Sequence, residues 1–250
     1  MPASTLISRT RVFPGLTGNA LKLIAAAAML LDHIGALLLP QMRILRVIGR
    51  LAFPIYAFMV AEGCRYTRSR LRYFLSVFLL GAACQLVYRM VGGSGPMNIL
   101  ITFSLSIPVI YVLQLLKECL HARSVRKSLL AALLFTVSVA AVYYVNRRIA
   151  VDYGFWGCMV SVAASLFQYR GKPSGIWKRL DRRSLHVTML GMGLLIQAVH
   201  SSPVQLYALL ALPLLLFYSG RRGSRRLKYF FYIFYPAHLV ILQGIYLLLY

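Results

Sequence analysis

The sequence predicts an all-α polytopic transmembrane helical bundle of about nine spans, and three observations predict it. Apolar residues make up 60% of the 250 residues, with a mean hydropathy of +0.71, whereas the apolar share of a soluble domain is nearer half. The apolar residues come in long blocks, which is typical of membrane-spanning helices. The 28 Lys and Arg residues outnumber the 5 Asp and Glu residues and cluster between alternate blocks, as basic loops do on one side of a membrane.

The first segment, 1–19, lacks a continuous apolar core because Pro14 and Gly15 interrupt it. We therefore expect a short flexible arm and no secretory signal, followed by one transmembrane domain over 20–250. The nine predicted spans are 20–39, 44–64, 71–90, 98–116, 129–145, 150–168, 185–199, 204–218 and 229–249. Spans seven and eight are about 22 Å long against a ~30 Å hydrocarbon core, so a short hairpin is the alternative to two full crossings.

The basic residues predict the orientation of these spans. Sorted by side, 22 of them accompany the N-terminal segment and 6 lie on the opposite side. Under the positive-inside rule this places the N-terminus inside and the C-terminus outside. The net charge of +23 is then explained by membrane lipids with anionic headgroups as the partner, and no nucleic acid is expected.

Acidic residues are rare, and three of them lie within or at the edge of a span: Asp32, Glu62 and Asp152. An ionised residue at mid-span costs ~2.5–3.5 kcal/mol on insertion scales, so such residues face the bundle interior and find a partner. Each forms either an interhelical ion pair without chemistry or part of a functional site. For Asp32 we expect a pair with Arg50, the basic residue nearest the outer half of span two. Glu118 and Asp181 lie in predicted inner loops and are expected to be solvated.

Two histidines lie at membrane depth. His33 comes 11 residues after Lys22, about 16 Å along a helix and past the midplane. His238 lies near mid-depth in span nine and shares a helix face with Tyr235. Each histidine is either a neutral packing residue bonded to a carbonyl or a base and proton shuttle, because imidazole titrates near working pH.

Arginines recur on one helix face at two places, with spacings of three and four residues. Arg65, Arg68 and Arg72 follow Glu62 at the predicted inner side and represent either positive-inside loading or a phosphate clamp. The second row, at the outer side, has the same spacing and either contacts headgroups or includes the partner of Asp32. It comprises Arg43, Arg46 and Arg50.

The remaining polar and sulfur residues indicate packing more than chemistry. Asn98, Thr102 and Ser106 form a polar stripe on span four that either hydrogen-bonds between helices or lines a channel. The four cysteines are far apart and lack metal spacing, so we expect free thiols and no metal centre.

Four segments together carry a family resemblance. They are LTGNALKLIAAAAMLLDHIG (16–35), LRVIGRLAFPIYAFMVAEGCRYTRSR (45–70), DYGFWG (152–157) and KYFFYIFYPAHLVIL (228–242). In combination they resemble the TraX family of membrane proteins, named for acetylation of conjugative pilin. The resemblance runs from about residue 16 to the C-terminus. It implies a protein of the bacterial cytoplasmic membrane.

The resemblance implies acetyl transfer from acetyl-CoA to an amine, typically a pilin N-terminus. The family is also similar to larger multi-span acyltransferases in which a histidine of an early span is central, and His33 is the matching position. The expected catalytic set is His33, Asp32, Asn98, Tyr235 and His238, with Asn98 or Tyr235 as the oxyanion donor. The expected acetyl-CoA-binding set is Arg50, Glu62, Arg65, Arg68 and Arg72.

The chemistry of His33 stays open between general base and acyl carrier. The acceptor is a peptide or pilin N-terminus or a small amine, hydroxyl or sugar, and no metal is expected. Two other classes fit a basic polytopic chain. A proton-coupled transporter also places Asp, His and Arg in spans, although no internal repeat is visible. A scaffold for pilus or envelope assembly has less reason to bury two histidines and three acids.

Overall fold

A computed structural model describes residues 15–90, 92–93, 95–224 and 227–249, so most of the arm predicted over 1–19 lies outside the described residues. Within these ranges the chain is all-helical, apart from two isolated β-bridges. The α-helices are α1 Gly18–Leu37, α2 Arg43–Gly49, α3 Ala52–Tyr66, α4 Arg70–Met90, α5 Ile99–His121, α6 Val125–Arg148, α7 Gly154–Ser165, α8 Gly175–Leu180, α9 Arg183–Val199, α10 Leu212–Leu216 and α11 Leu227–Leu249. A 3₁₀ helix, Pro203–Ala211, runs directly into α10.

Six helical segments of the described chain are long and apolar enough to cross a membrane. They are Gly18–Leu37, Arg43–Tyr66, Arg70–Met90, Ile99–His121, Val125–Arg148 and Tyr229–Leu249. The prediction of an all-α integral membrane protein is confirmed. The three other predicted spans correspond to shorter elements: α7, α9 and the 3₁₀ helix with α10. The count of nine crossings and the orientation stay predictions.

Successive helices run alternately between two ends of the bundle. The first end, where α1 begins, holds the Arg65–Asp181 ion pair that joins α3 to the segment before α9. The second end, where α1 finishes, holds backbone hydrogen bonds from Met97 N to Ala150 O and from Asp152 N to Met97 O, both 2.8 Å long.

Helix α1 lies beside α11, and the two run in the same direction. The segment before α1 pairs with the segment before α11, and this pairing holds the starts of the two helices together. Leu16 N donates to Phe217 O and Ser219 N donates to Leu16 O, each over 2.8 Å, and Gly18 N donates to Arg221 O over 2.8 Å. This pairing fixes the register of α1 against α11 and sets which side chains of the two helices meet further along.

Helices α3, α5 and α7 form the core. The polar stripe of α5 hydrogen-bonds to the loop before α7 and to α7 itself: Thr102 Oγ1 donates to Asp152 O over 2.7 Å and Ser106 Oγ donates to Cys158 O over 2.9 Å. The interhelical interpretation of this stripe is therefore confirmed. Both hydroxyls are fully buried, and each is satisfied by a carbonyl of a neighbouring element.

A buried lysine ties α5 to the end of α7. Lys117 is 3% exposed, and its Nζ donates to Ser165 O (2.8 Å) and Gln168 O (2.6 Å), with Leu166 O at 3.4 Å. The last carbonyls of a helix lack intrahelical partners and carry a partial negative charge, so an ammonium group satisfies both requirements. Nothing in the local pattern around position 117 distinguishes this lysine from the other basic residues of the first end.

Substitution of this lysine is expected to destabilise the protein. Lys117→Met keeps the aliphatic stem but leaves buried carbonyls without a donor, a cost of about 1–3 kcal/mol. We expect a lower melting temperature in detergent, followed by tryptophan fluorescence. Lys127→Met is the matched control, because Lys127 is exposed at the same end of the bundle. Equal melting of the two variants would contradict a capping role for Lys117.

Candidate functional site

The second end of the bundle contains a buried ionic cluster centred on Asp32. Arg50 Nη2 donates to both carboxylate oxygens of Asp32, at 2.5 and 2.6 Å, and Arg46 Nη1 donates to Oδ2 at 2.8 Å. The predicted Asp32–Arg50 pair is confirmed, with Arg46 as a second partner. One carboxylate therefore joins α1 to α2 and to the turn between α2 and α3, and it neutralises charge that the bundle interior would otherwise expose to a low dielectric.

The backbone of α2 and the loop before α7 hold this cluster in place. A Cβ at Gly49 would overlap the Asp32 side chain, so glycine is required for α2 to approach α1 this closely. The Tyr153 hydroxyl accepts a hydrogen bond from Arg50 Nη1 over 3.3 Å, and the Tyr153 ring stacks on Phe53 with centroids 4.0 Å apart. Tyr153 adopts a left-handed conformation, with φ of 60°, which a non-glycine residue adopts only when its surroundings impose it.

Removal of the Asp32 carboxylate is expected to be strongly destabilising. Arg50 is 6% exposed, and Asp32→Ala leaves its charge buried and unpaired, at a cost of about 3–5 kcal/mol. Thermal unfolding in detergent, read as loss of the monodisperse peak in size-exclusion chromatography, measures this effect. Arg43→Ala is the control, because Arg43 is exposed on α2, the short helix that also carries Arg46. A double variant, Asp32→Ala with Arg50→Leu, should recover part of the loss, and an absence of any difference between Asp32→Ala and Arg43→Ala would contradict the prediction.

The two membrane-depth histidines meet across the α1–α11 interface. His33 Nδ1 lies 3.0 Å from His238 Nε2, and His238 Nδ1 lies 2.8 Å from the carbonyl oxygen of Phe234, one turn earlier in α11. His238 is 4% exposed, whereas His33 keeps part of its surface open. The Phe234 ring stacks on His238 with centroids 5.0 Å apart, and the Tyr235 ring meets His238 edge-on at 5.6 Å. These contacts fix the His238 ring on both sides.

His33 is the sequence neighbour of Asp32 but is oriented by different partners. Asp32 turns toward α2, whereas His33 turns toward α11. Neighbours on a helix diverge by about 100°, so this division is what helix geometry dictates. The carboxylate organises the helices around the site, and the imidazole is left for contacts with His238.

A cavity of about 660 Å³ lies on the first-end side of these histidines. Its walls come from α1, α3, α4, α5, α11 and the segment 218–224. Its basic lining residues are Lys22, Arg68, Arg72 and Arg222, of which all but Lys22 are exposed at its mouth. Its deeper apolar lining includes Met29, Met59, Val77, Leu80 and Phe103. The cavity is therefore cationic where it opens and apolar inside, a shape that accommodates an anionic group carried on a long thin chain.

The cavity also contains one carboxyl group and several phenols. Glu62 is 8% exposed and accepts a hydrogen bond from Gln168 Nε2 over 3.0 Å. The Tyr218 hydroxyl is a second hydrogen-bonding partner of Glu62. Tyr56, Tyr73 and Tyr235 also line the cavity, and each hydroxyl group has one donor and two acceptor sites. Glu62 is therefore part of the cavity wall, and its role in binding a donor stays a prediction.

The predicted arginine row divides between two environments. Arg68 and Arg72 line the cavity, and within the described ranges no carboxylate pairs with either guanidinium group. Arg65 does not line it: Arg65 Nη2 bonds Asp181 Oδ2 at 2.6 Å, and its guanidinium lies over the Tyr66 ring. Arg50, also predicted to bind the donor, is held by Asp32 and does not line the cavity.

The expectation that Asp181 is solvated is wrong. Its side chain is 3% exposed and lies 3.1 Å from His186 Nε2 as well as 2.6 Å from Arg65. Burial raises the pKa of this carboxyl group, but the hydrogen bond with His186 and the positive charge of Arg65 outweigh burial and bring its pKa below the usual range. The segment before α9 folds back under α3, which encloses a residue that the sequence places in a polar loop.

Asn98 caps α5 and anchors α4. Its Oδ1 accepts from Leu100 N at 3.1 Å, and its Nδ2 donates to Gly81 O at 2.8 Å and to Gln85 Oε1 at 3.1 Å. Both amide hydrogens are therefore engaged, and Asn98 does not line the cavity. Of the two predicted oxyanion donors, Tyr235 is the one that lines the cavity and also touches a histidine.

Residues close in sequence to the two histidines line the cavity. His33 and His238 are not lining residues, but Met29, one helical turn before His33, and Tyr235, three residues before His238, are. Both are nearly buried, at 7% and 9% exposure. Sequence reasoning missed Lys22, Arg222 and the 218–224 segment, and only the basic residue inside LTGNALKL gave any signal of a role at the mouth.

Six membrane-length helices, a buried ionic cluster and a histidine pair next to an internal cavity define a polytopic integral membrane protein with a polar site inside its helical bundle. The chain belongs to the TraX protein family, whose model matches residues 17–246.

Two curated proteins are similar in sequence. The probable fimbrial assembly protein FimC, serogroup H1, of Dichelobacter nodosus is 28% identical over 244 residues, which cover 89% of this chain and 92% of that protein. The uncharacterized protein RP591 of Rickettsia prowazekii (strain Madrid E) is 48% identical over 40 residues, 16% of each chain. No solved structure matches significantly.

Proposed function

We propose that this protein is a membrane-embedded acetyltransferase that moves an acetyl group from acetyl-CoA to an amine or hydroxyl acceptor. The observation that carries the proposal is the cavity, which has cationic side chains at its mouth, apolar walls inside, and the His33–His238 pair beyond its inner end. Membership of a family named for pilin acetylation supports the same reaction.

The donor would enter from the first end, which the positive-inside rule assigns to the cytoplasm of a bacterial cell. The 3′-phospho-ADP group of acetyl-CoA carries several negative charges, and Arg68, Arg72, Lys22 and Arg222 offer charge-assisted hydrogen bonds to it. The thin pantetheine arm suits the apolar interior. Glu62 is placed to accept hydrogen bonds from amide or amino N–H groups of the donor.

The thioester would reach His33 between Met29 and Tyr235, whose side chains separate the cavity from the histidine pair. Binding of the donor therefore includes displacement of these two side chains. The Tyr235 hydroxyl then donates a hydrogen bond to the carbonyl oxygen of the thioester and stabilises the negative charge that develops on that oxygen.

His33 can support acetyl transfer by either of two mechanisms. As a general base, the imidazole takes a proton from the acceptor while the acceptor attacks the carbonyl carbon; the C–S bond breaks, and the CoA thiolate recovers that proton from the ring. As a nucleophile, the ring nitrogen forms a C–N bond with the acetyl carbon while the C–S bond breaks and CoA leaves as a thiolate. The acceptor then attacks the acetyl carbon, the C–N bond to the ring breaks, and the proton that the acceptor loses passes to the thiolate. Both routes use the same nitrogen and yield CoA thiol and the acetylated acceptor.

The acceptor would approach at the second end, in the outer half of the membrane. The name of the similar Dichelobacter nodosus protein points to fimbrial assembly, so a pilin or fimbrial subunit N-terminus is the first candidate. A small amine or a sugar hydroxyl has the same chemistry. We propose that all nine predicted spans cross, with α7, α9 and the 3₁₀ helix with α10 as the short ones, so that the C-terminus lies outside.

A second candidate function is a non-enzymatic scaffold for fimbrial assembly, and the printed name of that same relative favours it. A scaffold requires contacts with fimbrial subunits but does not require an acetyl donor. The ability to bind acetyl-CoA therefore separates the two functions, and it also separates an acetyltransferase from a proton-coupled transporter.

Labelled acetyl-CoA tests the proposal. Purified protein in nanodiscs is titrated with acetyl-CoA by calorimetry, and slow hydrolysis is followed by release of the free thiol. Membrane extract with [¹⁴C]acetyl-CoA then identifies whatever acceptor becomes labelled. Binding with protein-dependent labelling is the expected result. A protein that neither binds acetyl-CoA nor transfers label, while still binding fimbrial subunits, would be a scaffold.

A further inference from the structure

We propose that His238 is a positioning residue that holds His33 in one tautomer, with hydrogen on Nδ1 and a free electron pair on Nε2. This proposal rests on the proposed function for its consequence in catalysis. The tautomer itself follows from the contacts of the two rings and can be measured without any acceptor.

The carbonyl group of Phe234 determines the tautomer of His238. Phe234 O only accepts hydrogen bonds, and His238 Nδ1 lies 2.8 Å from it, so Nδ1 of His238 carries the hydrogen. A neutral imidazole has one N–H and one unprotonated nitrogen, which makes His238 Nε2 an acceptor. His33 Nδ1 lies 3.0 Å from that nitrogen and donates to it.

The consequence falls on the other edge of the His33 ring. Within the described ranges no hydrogen bond to His33 Nε2 is formed, and the residue is partly exposed. Its electron pair is therefore available for an incoming proton or acetyl carbon. Nε2 is also the ring nitrogen further from the α1 backbone. The imidazole partner supplies what a carboxylate supplies to histidine in other sites, namely control of tautomer and ring orientation.

The experiment replaces His238 by residues that differ in one property. His238→Gln can place an amide oxygen near the former Nε2 and accept from His33 Nδ1, whereas His238→Ala cannot. His200→Ala is the matched control, since His200 is an exposed histidine that ends α9. Protein labelled with ¹⁵N-histidine in detergent gives the tautomer of each ring from its long-range ¹H–¹⁵N couplings, and the His33→Ala variant assigns the His33 signals.

We expect His33 of the unaltered protein to be protonated on Nδ1. We expect His238→Ala to give a mixture of tautomers and to lower kcat for acetyl-CoA turnover about 10–100-fold, the typical cost of losing the partner that orients a functional histidine. KM for acetyl-CoA should stay unchanged. His238→Gln should retain the tautomer and recover most of the rate, and His200→Ala should change neither.

Three results would overturn the proposal. They are a His33 protonated on Nε2 in the unaltered protein, an Nδ1–H tautomer that survives in folded His238→Ala, and equal loss of rate in the Gln and Ala variants at equal melting temperature. If His238→Ala does not fold, the tautomer of His33 in the unaltered protein and in the Gln variant still tests the proposal. Failure of the proposed function looks different, because acetyl-CoA would then not bind while the tautomer result would stand.

Discussion

His33→Ala is expected to reduce acetyl transfer about 100- to 10,000-fold, the range that positioned acid–base groups contribute. The substitution removes the only imidazole nitrogen of the pair that has no hydrogen-bonding partner in the described structure. His33 is partly exposed, and its loss leaves the Asp32 cluster intact, so expression and folding should remain nearly normal. Transfer of label from [¹⁴C]acetyl-CoA, normalised to folded protein, measures the effect.

The control for this variant is His121→Ala. His121 is an exposed histidine at the end of α5, bonded to Ser174, and it has no contact with the cavity. Its activity should match that of the unaltered protein. Transfer that survives in His33→Ala at the level of this control would remove His33 from the mechanism, and the reaction would then need a different base.

Loss of two arginines at the cavity mouth is expected to weaken acetyl-CoA binding about 10–100-fold. Arg68→Ala with Arg72→Ala removes two charge-assisted contacts to the phosphates, each contributing about 1 kcal/mol or slightly more at an exposed site. The affinity of the unaltered protein should fall as salt screens these charges, and the double variant should depend on salt less steeply. Calorimetric titration with acetyl-CoA at low and high salt measures both quantities.

The matched control is Arg126→Ala with Lys127→Ala. These two exposed cations begin α6 at the same end of the bundle and do not line the cavity. The control removes the same total charge, so it corrects for the general field of the basic face. If both double variants bind acetyl-CoA equally well, the phosphates bind elsewhere, and the proposal that they bind at the cavity mouth is contradicted.

The sequence was most informative where a physical cost restricts the possibilities. A charge inside a span must find a partner, and this rule predicts the Asp32–Arg50 pair once Arg50 is recognised as the basic residue nearest the outer half of span two. The same rule does not reveal Arg46 as the second partner, because that contact depends on the turn that separates α2 from α3. The apolar blocks likewise gave the long helices, while the short elements among them were too brief for composition to decide.

Contacts between residues distant in sequence were beyond any local pattern. Asp181 was expected in water because its neighbours are polar, but the loop that carries it packs under Arg65, 116 residues away. His33 and His238 were each recognised as unusual, yet 205 residues separate them and only the pairing of α1 with α11 brings them together. Helix periodicity gives the face of one helix and not the identity of its neighbour.

That parallel pairing has a consequence for biosynthesis. A ribosome makes α1 first and begins α11 only after the 189 residues between Leu37 and Leu227, so the site cannot be completed during most of translation and insertion. A chain released before α11 would contain the Asp32 cluster. It would lack His238 and the cavity wall that α11 provides. Under the proposed function, such truncated products are expected to be inactive. Two fragments divided at the turn 200–203 and expressed together should regain activity only when the second fragment is present.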